Sequence, residues 1–208
     1  MNNSALVHSV KPLCDSLDPF CKYGIALNKK YPGKGYTLSL RPFFTTTDLP
    51  IVYEWLKDSY VGQFWKMKHS NHQVAEIYRT ISRVNYAQSF LTLLDNRPVC
   101  QVDINEAWCD DVYSYVSTRK GDYIIRWLLP LTIKMHATLF VDIIRFCLDY
   151  FFSFSEVENI FTETDADQAK TNELMLKTGF EFSRTIDLPP CKMNIYCYSR
   201  KNWLTTLL

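Results

Sequence analysis

The chain has almost no charge excess: 23 Lys and Arg stand against 22 Asp and Glu, a formal net charge of +1. No strongly basic stripe runs along it, which argues against a non-specific nucleic-acid binder. Only four His are present, and none of the seven Cys forms a CxxC pair. A zinc site is therefore not expected, nor any other metal. An odd set of cysteines (Cys14, Cys21, Cys100, Cys109, Cys147, Cys191 and Cys197) reads as reduced thiols of a cytoplasmic protein. The opening MNNSALVHSVKPLC lacks a charged region followed by an apolar one, so no signal peptide is expected. A long charge-free apolar run is missing too. The most apolar stretch, residues 137–154, contains Asp142, Arg145 and Asp149, which points to a helix with a buried face rather than a membrane span. There is no internal repeat, no low-complexity block and no linker that would separate two domains.

What the chain does have is aromatic side chains: 13 Phe, 13 Tyr and 5 Trp among 208 residues. That excess suits a heavily packed core, and less often a groove for a flat or greasy ligand. Residues 1–35, with Pro12, Pro19, Pro32 and the KYPGKG turn, read as an N-terminal extension. Residues 36–208 read as one domain.

Alternation over Tyr36–Phe43 predicts a strand. The run Thr45–Asp48 supplies N-cap candidates for a helix over Leu49–Lys57. Val74, Ile77, Ile81 and Val84 fall at three- and four-residue spacing, predicting a helix over His72–Val84. Two strands, Tyr86–Leu94 and Val99–Ala107, flank a hairpin turn at Asp95–Pro98. The acidic segment from Glu106 to Lys120 reads as mobile. Beyond it come a strand over Gly121–Pro130, a long apolar-faced helix over His136–Phe152, and a strand over Glu156–Asp165. A polar helix ending in KTGF and two strands, Glu181–Leu188 and Met193–Ser199, complete the chain. The expected fold class is α/β: a mixed, mostly antiparallel sheet with helices on both faces.

A strand that opens onto a helix N-terminus offers free backbone N–H groups and the positive end of a helix dipole, a seat for phosphate. The order strand, turn, helix, strand, short helix, Gly-Phe resembles the acyl-CoA-binding half of the GNAT acyltransferases. LTIKMHA (residues 131–137) occupies the place of that family's pyrophosphate loop, with Ala137 matching and the glycines absent. Leu174, Lys177, Gly179 and Phe180 match its second motif, and Met175 stands where many members carry a Tyr that protonates the departing thiolate. Four stretches are similar to the siderophore-biosynthesis branch, the N-hydroxylysine acetyltransferases and lysine N-acyltransferases: WLKDSYVGQFW (residues 55–65), RPVCQVDINEA (97–107), GDY (121–123) and TETDADQAKTNELMLKTGF (162–180). Arg126 and Asn172 stand where that branch often has His.

The resemblance implies a single-domain GNAT fold and direct transfer of an acyl group, acetyl first, from acyl-CoA to nitrogen. The implied acceptor is an amine or hydroxylamine of a lysine- or diamine-derived siderophore precursor. The alternatives are another small amine such as an aminoglycoside, or a non-catalytic acyl-CoA-binding module. The backbone of Trp127, Leu128 and Leu129 would bond the pantetheine amides. The turn through Lys134, Met135, His136, Ala137 and Thr138 would take the pyrophosphate. Monomer and dimer both remain open.

One carboxylate near the thioester would orient the nucleophile and accept its proton. Asp165 ends a strand where ligands gather in open α/β sheets; it is either that base or a cap for the next helix. Glu163 shares its face by strand alternation, as a second carboxylate or as a solvated residue. Arg126 interrupts an apolar strand, so it needs a carboxylate partner, either a substrate's or an internal one such as Asp103. Trp55, Phe64, Trp65, Gln101 and Asp103 are either the acceptor pocket, with Asp103 holding an ammonium, or ordinary core. The cysteines have no His near them in sequence and read as inert.

Overall fold

A computed structural model describes residues 24–57, 70–110, 114–130, 137–188 and 191–207. Local chemistry sets the hairpins first. Asp95 and Asn96 both adopt positive φ, 47° and 65°, the geometry of a two-residue turn whose twist matches its strands. That turn joins β3 (Ala87–Leu94) to β4 (Arg97–Glu106). The Asp95 carboxylate also accepts the Thr37 N–H at 2.9 Å, tying the turn to β2 (Tyr36–Pro42). β1 (Leu27–Tyr31) pairs with β2 and so lies inside the stretch expected to be an extension. Its middle three residues are exposed, as befits a sheet edge, so it carries no alternation for sequence reasoning to detect.

β5 (Asp122–Leu128), β6 (Asn159–Asp165), β7 (Glu181–Leu188) and β8 (Cys191–Ser199) complete one eight-stranded sheet in the order β1-β2-β3-β4-β5-β6-β8-β7. Every neighbouring pair is antiparallel except β5 and β6.

One face of the sheet presents Leu38, Leu40, Phe90, Val102, Ile125, Ile160 and Tyr198 to α3 (Ala137–Phe152). α3 buries Ile143, Ile144, Phe146, Cys147, Phe151 and Phe152 there, which explains its length of apolar sequence despite three charges. Those charges are placed: Asp142 takes Lys34 and the Tyr36 hydroxyl, Asp149 takes Lys29 and the Trp203 indole, and Arg145 donates to the Lys177 and Thr178 carbonyls. At the end of α3, Arg200 donates to the carbonyls of Phe152, Phe154 and Val157, the role a cation plays best at a helix C-terminus. It belongs to α5 (Arg200–Thr205), a short helix that the sequence reading lacked. No helix among the described residues is long and apolar enough to cross a membrane.

α4 (Ala169–Thr178) lies beside α3 and ends in a Schellman motif, with Gly179 N–H to Leu176 and Phe180 N–H to Met175. The opposite face carries α1 (Thr45–Leu56) and α2 (Asn71–Arg83), whose Leu49, Val52, Val74 and Tyr78 pack on Leu128. α1 starts four residues earlier than expected. Phe44 is its N-cap, and Asp48 reaches back to accept the Phe44 N–H and a two-pronged bond from Arg41. Burial would raise the Asp48 carboxyl, but Arg41 and that N–H outweigh it and hold it below its ordinary value. α2 begins on a capping box between Ser70 and Gln73.

Candidate active site

β5 and β6 pair for only three residues: Asp122 with Asn159, Tyr123 with Ile160, Ile124 with Phe161. Beyond that point they part. Arg126, Trp127 and Leu128 pair only with Asp103, Val102 and Gln101 of β4, and Glu163, Thr164 and Asp165 pair only with β8. Two backbone edges thus face each other across a fork that opens toward the C-terminal ends of β5 and β6. A strand edge with no strand beside it keeps backbone donors and acceptors that another molecule could pair with.

A polar row crosses the sheet on the α1/α2 face, running through residues in register on four strands. Ser89 pairs with Asp103, Asp103 pairs with Arg126, and the Arg126 Nε donates to Glu163 Oε1 at 2.9 Å. Asp103 accepts the Ser89 hydroxyl and the Gln101 amide, the latter at 2.6 Å. Burial lifts its carboxyl to about 6, against the pull of those two donors and of Arg126. Tyr78 of α2 faces the same group; burial first, then the Asp103 charge, raise its hydroxyl well above the ordinary value. Gln101 is fully buried, and its Oε1 has no partner.

Arg126 was expected to need a carboxylate, and it has two internal ones. Its terminal nitrogens grip Asp110 at 2.5 and 2.9 Å, and its Nε holds Glu163. Asp103 lies beside it without being its hydrogen-bonded partner. Burial would lower the guanidinium pKa, and the two carboxylates more than reverse that. Asp110 escaped sequence reasoning because it sits in an irregular segment with no periodicity; the only signal was Arg126's own need for charge. That segment, expected to be mobile, carries a short 3-10 turn at Ala107–Cys109 and is anchored through Asp110.

Glu163 and Asp165 do share a face, with Thr162 and Thr164 buried on the other. Glu163 Oε2 is buried without a partner. Asp165 Oδ1 accepts the Asp167 N–H at 2.9 Å, closing the turn ahead of α4, whose N-cap is Gln168. Asn172 is the hub beneath: it donates to the Asp165 and Ala166 carbonyls and accepts from Thr164, Tyr196 and Asn194. Met175 is core, packed with Phe180 and Tyr198.

Among the expected cofactor contacts, Trp127 is half-buried on the α3 face, and its indole N–H has no partner. The Leu128 side chain is taken up under α1 and α2, which leaves only its backbone for a ligand. Ala137 and Thr138 are exposed in the first turn of α3. Lys134, Met135 and His136 lie outside the described residues, as do Phe64 and Trp65. Trp55 packs against the cluster of α1 and α2. Burial pushes the Cys147 thiol to about 12, the Cys109 thiol to about 11 and the Cys100 thiol well above its ordinary value, far from the thiolate a nucleophile needs. Among the described residues no cluster of His, Cys, Asp and Glu is placed to hold a metal ion.

Residues 45–188 match the family model described as acetyltransferase (GNAT) domain. No curated protein sequence matches the chain. Among solved structures it is similar to an uncharacterised protein from Bacillus halodurans, with TM-score 0.79 and 14% identity over 86% of this chain and 92% of that one. It is similar to an aminoglycoside acetyltransferase solved with coenzyme A, with TM-score 0.73 and 20% identity over 82% and 99%. It is also similar to the spermidine N-acetyltransferase of Vibrio cholerae solved with CoA and spermine, with TM-score 0.63 and 16% identity over 80% and 98%.

Proposed function

Because the chain belongs to the GNAT acetyltransferase family, we propose that it transfers an acetyl group from acetyl-CoA to the nitrogen of a small amine or hydroxylamine. The fork between β5 and β6 carries this reading. The pantetheine arm has two amides, which match the free backbone edge at Trp127–Leu129, and the unpartnered Trp127 indole N–H offers a further donor beside it. The pyrophosphate would lie against the first turn of α3, at Ala137 and Thr138.

The acceptor approaches from the α1/α2 face, where Asp103, Glu163 and Asp165 stand. Its nitrogen attacks the thioester carbon, the C–S bond breaks, and coenzyme A leaves as thiolate. Asp165, with Glu163 beside it, orients the nucleophile and accepts its proton. Most of the rate gain comes from holding the two reactants side by side, and backbone N–H groups of the fork stabilise the thioester oxygen. Met175 supplies no proton to the thiolate, so that proton comes from solvent.

We take a lysine- or diamine-derived siderophore precursor as the first acceptor to try. Its hydroxylamine is already neutral and asks little of the base, and Asp103 with Gln101 would hold its second, cationic end. The free thiols of Cys100, Cys109, Cys147, Cys191 and Cys197 suit a cytoplasmic setting. A second reading is an aminoglycoside or polyamine acceptor. Asp103 and Asp165, two carboxylates on the α1/α2 face that Arg126 does not hold, favour it, since polycations need several carboxylates.

Thiol release from acetyl-CoA, measured against N6-hydroxylysine, lysine, 1,5-diaminopentane, spermidine and kanamycin, separates these readings. The expected order puts N6-hydroxylysine first. Kanamycin or spermidine first would replace the siderophore reading with the second one, and no release with any amine would leave only acyl-CoA binding. With the best acceptor, Asp165→Asn should lower turnover about 100-fold or more while acetyl-CoA affinity holds. Unchanged turnover would remove Asp165 from the mechanism.

A further inference from the structure

The Arg126–Glu163 ion pair occupies a particular place. The last backbone pair joining β5 to β6 is Ile124 with Phe161. Arg126 and Glu163 lie one two-residue step further along, separated by the same 37 positions as Asp122 and Asn159. Side chains therefore continue, across the fork, the register that the backbones have abandoned. The step is about 7 Å above the root of the fork. A guest that runs down the free edge of β5 meets this bar before it meets the last backbone pair.

The bar does not hold itself. Arg126 has a long flexible stem and stands beside a competing carboxylate, Asp103. Asp110 fixes it: the bidentate grip takes both terminal nitrogens, and Asn105 Nδ2 steadies Asp110 Oδ2 at 3.1 Å. The Asp110 and Glu163 side chains are 9% and 17% exposed. Charges so far out of water stay only where their partners are in place. Glu163 meanwhile uses one oxygen on Arg126 and leaves the other buried and unbonded.

We infer that Asp110 is a specificity-determining positioning residue: through Arg126 it keeps the bar to Glu163 closed across the root of the fork, and the bar restricts the donor to short acyl groups. This rests on the reading that acyl-CoA occupies the fork. An acetyl group ends short of the bar, and a six-carbon chain runs into it. Without the Asp110 carboxylate the guanidinium is free to turn to Asp103 or to solvent, and the root of the fork opens.

Calorimetric titration of acetyl-CoA and hexanoyl-CoA into the full chain and into Asp110→Asn tests this, with circular dichroism to check folding. The wild type should bind hexanoyl-CoA about tenfold or more weakly than acetyl-CoA. Asp110→Asn should bring the two within about threefold, chiefly by tightening hexanoyl-CoA, a selectivity change that mere loosening of the fold would not produce. If Asp110→Asn does not fold, Arg126→Lys, which keeps the charge and loses the two-pronged grip, should give the same narrowing. A wild type indifferent to chain length, or a variant with the wild-type ratio, overturns the inference while leaving the proposed function standing. A wild type that binds neither thioester overturns both.

Discussion

Asp103 is the residue whose chemistry is most exposed to test. Unfolded, an aspartate titrates near 3.9; in the fold, burial raises it to about 6. The native state therefore holds the proton more tightly than the unfolded one. The contribution of Asp103 to stability is fully present below pH 4, is lost as pH rises from about 4 to about 6, and stays lost above that, a difference of about 2–3 kcal/mol. Asp103→Asn retains an oxygen for the Ser89 and Gln101 bonds and removes the buried charge. At pH 8 it should melt about 4–12 °C above the wild type, and at about pH 3.5 the two should nearly coincide. Equal melting at pH 8 would mean that Arg126 and the two hydrogen bonds already compensate the charge. The gain in stability is expected to come with a higher KM for a cationic acceptor, the usual exchange at a site that keeps a charge out of water. Arg126 shows how far residue reasoning reaches. Its isolation in an apolar strand demanded a carboxylate, which was readable. That the carboxylates are Asp110 and Glu163 was not, since nothing local in the sequence brings Asp110 back to β5.

At the scale of elements, two glycines close junctions at the start of β5 and the end of α4. Gly121 enters β5 at φ +92°, and a Cβ there would meet the Glu156 carbonyl oxygen at 2.7 Å. Gly179 ends α4 at φ +105°, where a Cβ would meet the Tyr198 ring at 2.9 Å. Both demand a backbone that only glycine adopts cheaply. They differ in what must give way: a main-chain carbonyl held in the strand connection in one case, a ring edge in the other. Gly121→Ala should therefore cost more, about 3–5 kcal/mol against about 1–3 for Gly179→Ala, by urea denaturation of each variant. A reversed order would show that the Tyr198 ring is the more rigid neighbour. Elements with strong periodicity or turn chemistry were legible: α2 from its spaced apolar residues, the β3–β4 hairpin from Asp95-Asn96, α3 from its apolar face. β1 was not, because an edge strand with solvent on its middle residues shows no period. α1 was placed late because Thr45–Asp48 looked like caps and are helix, with Asp48 capping backward from inside.

For the whole molecule, the sheet divides the labour between its faces. α3 and α4 stabilise one side through the large aromatic core, and α1 and α2 close over the other, where the charged row lies. The order of elements, and with it the family resemblance, could be read from the chain. The fork could not. β5 and β6 keep their pattern of buried residues to Leu128 and Thr164, so the parting of the two strands leaves no mark on periodicity; it is a relation between strands that only three dimensions reveal. The boundary of the domain was likewise set too late, since the sheet begins at Leu27.

The claim on which the rest depends is that the fork is the seat of an acyl-CoA, and a crystal structure of the chain soaked with coenzyme A tests it most directly. The account predicts the pantetheine arm between β5 and β6, its amides bonded to the backbone of Trp127–Leu129 and its thiol pointing toward the Arg126–Glu163 pair. Coenzyme A bound elsewhere with the fork unfilled would contradict it.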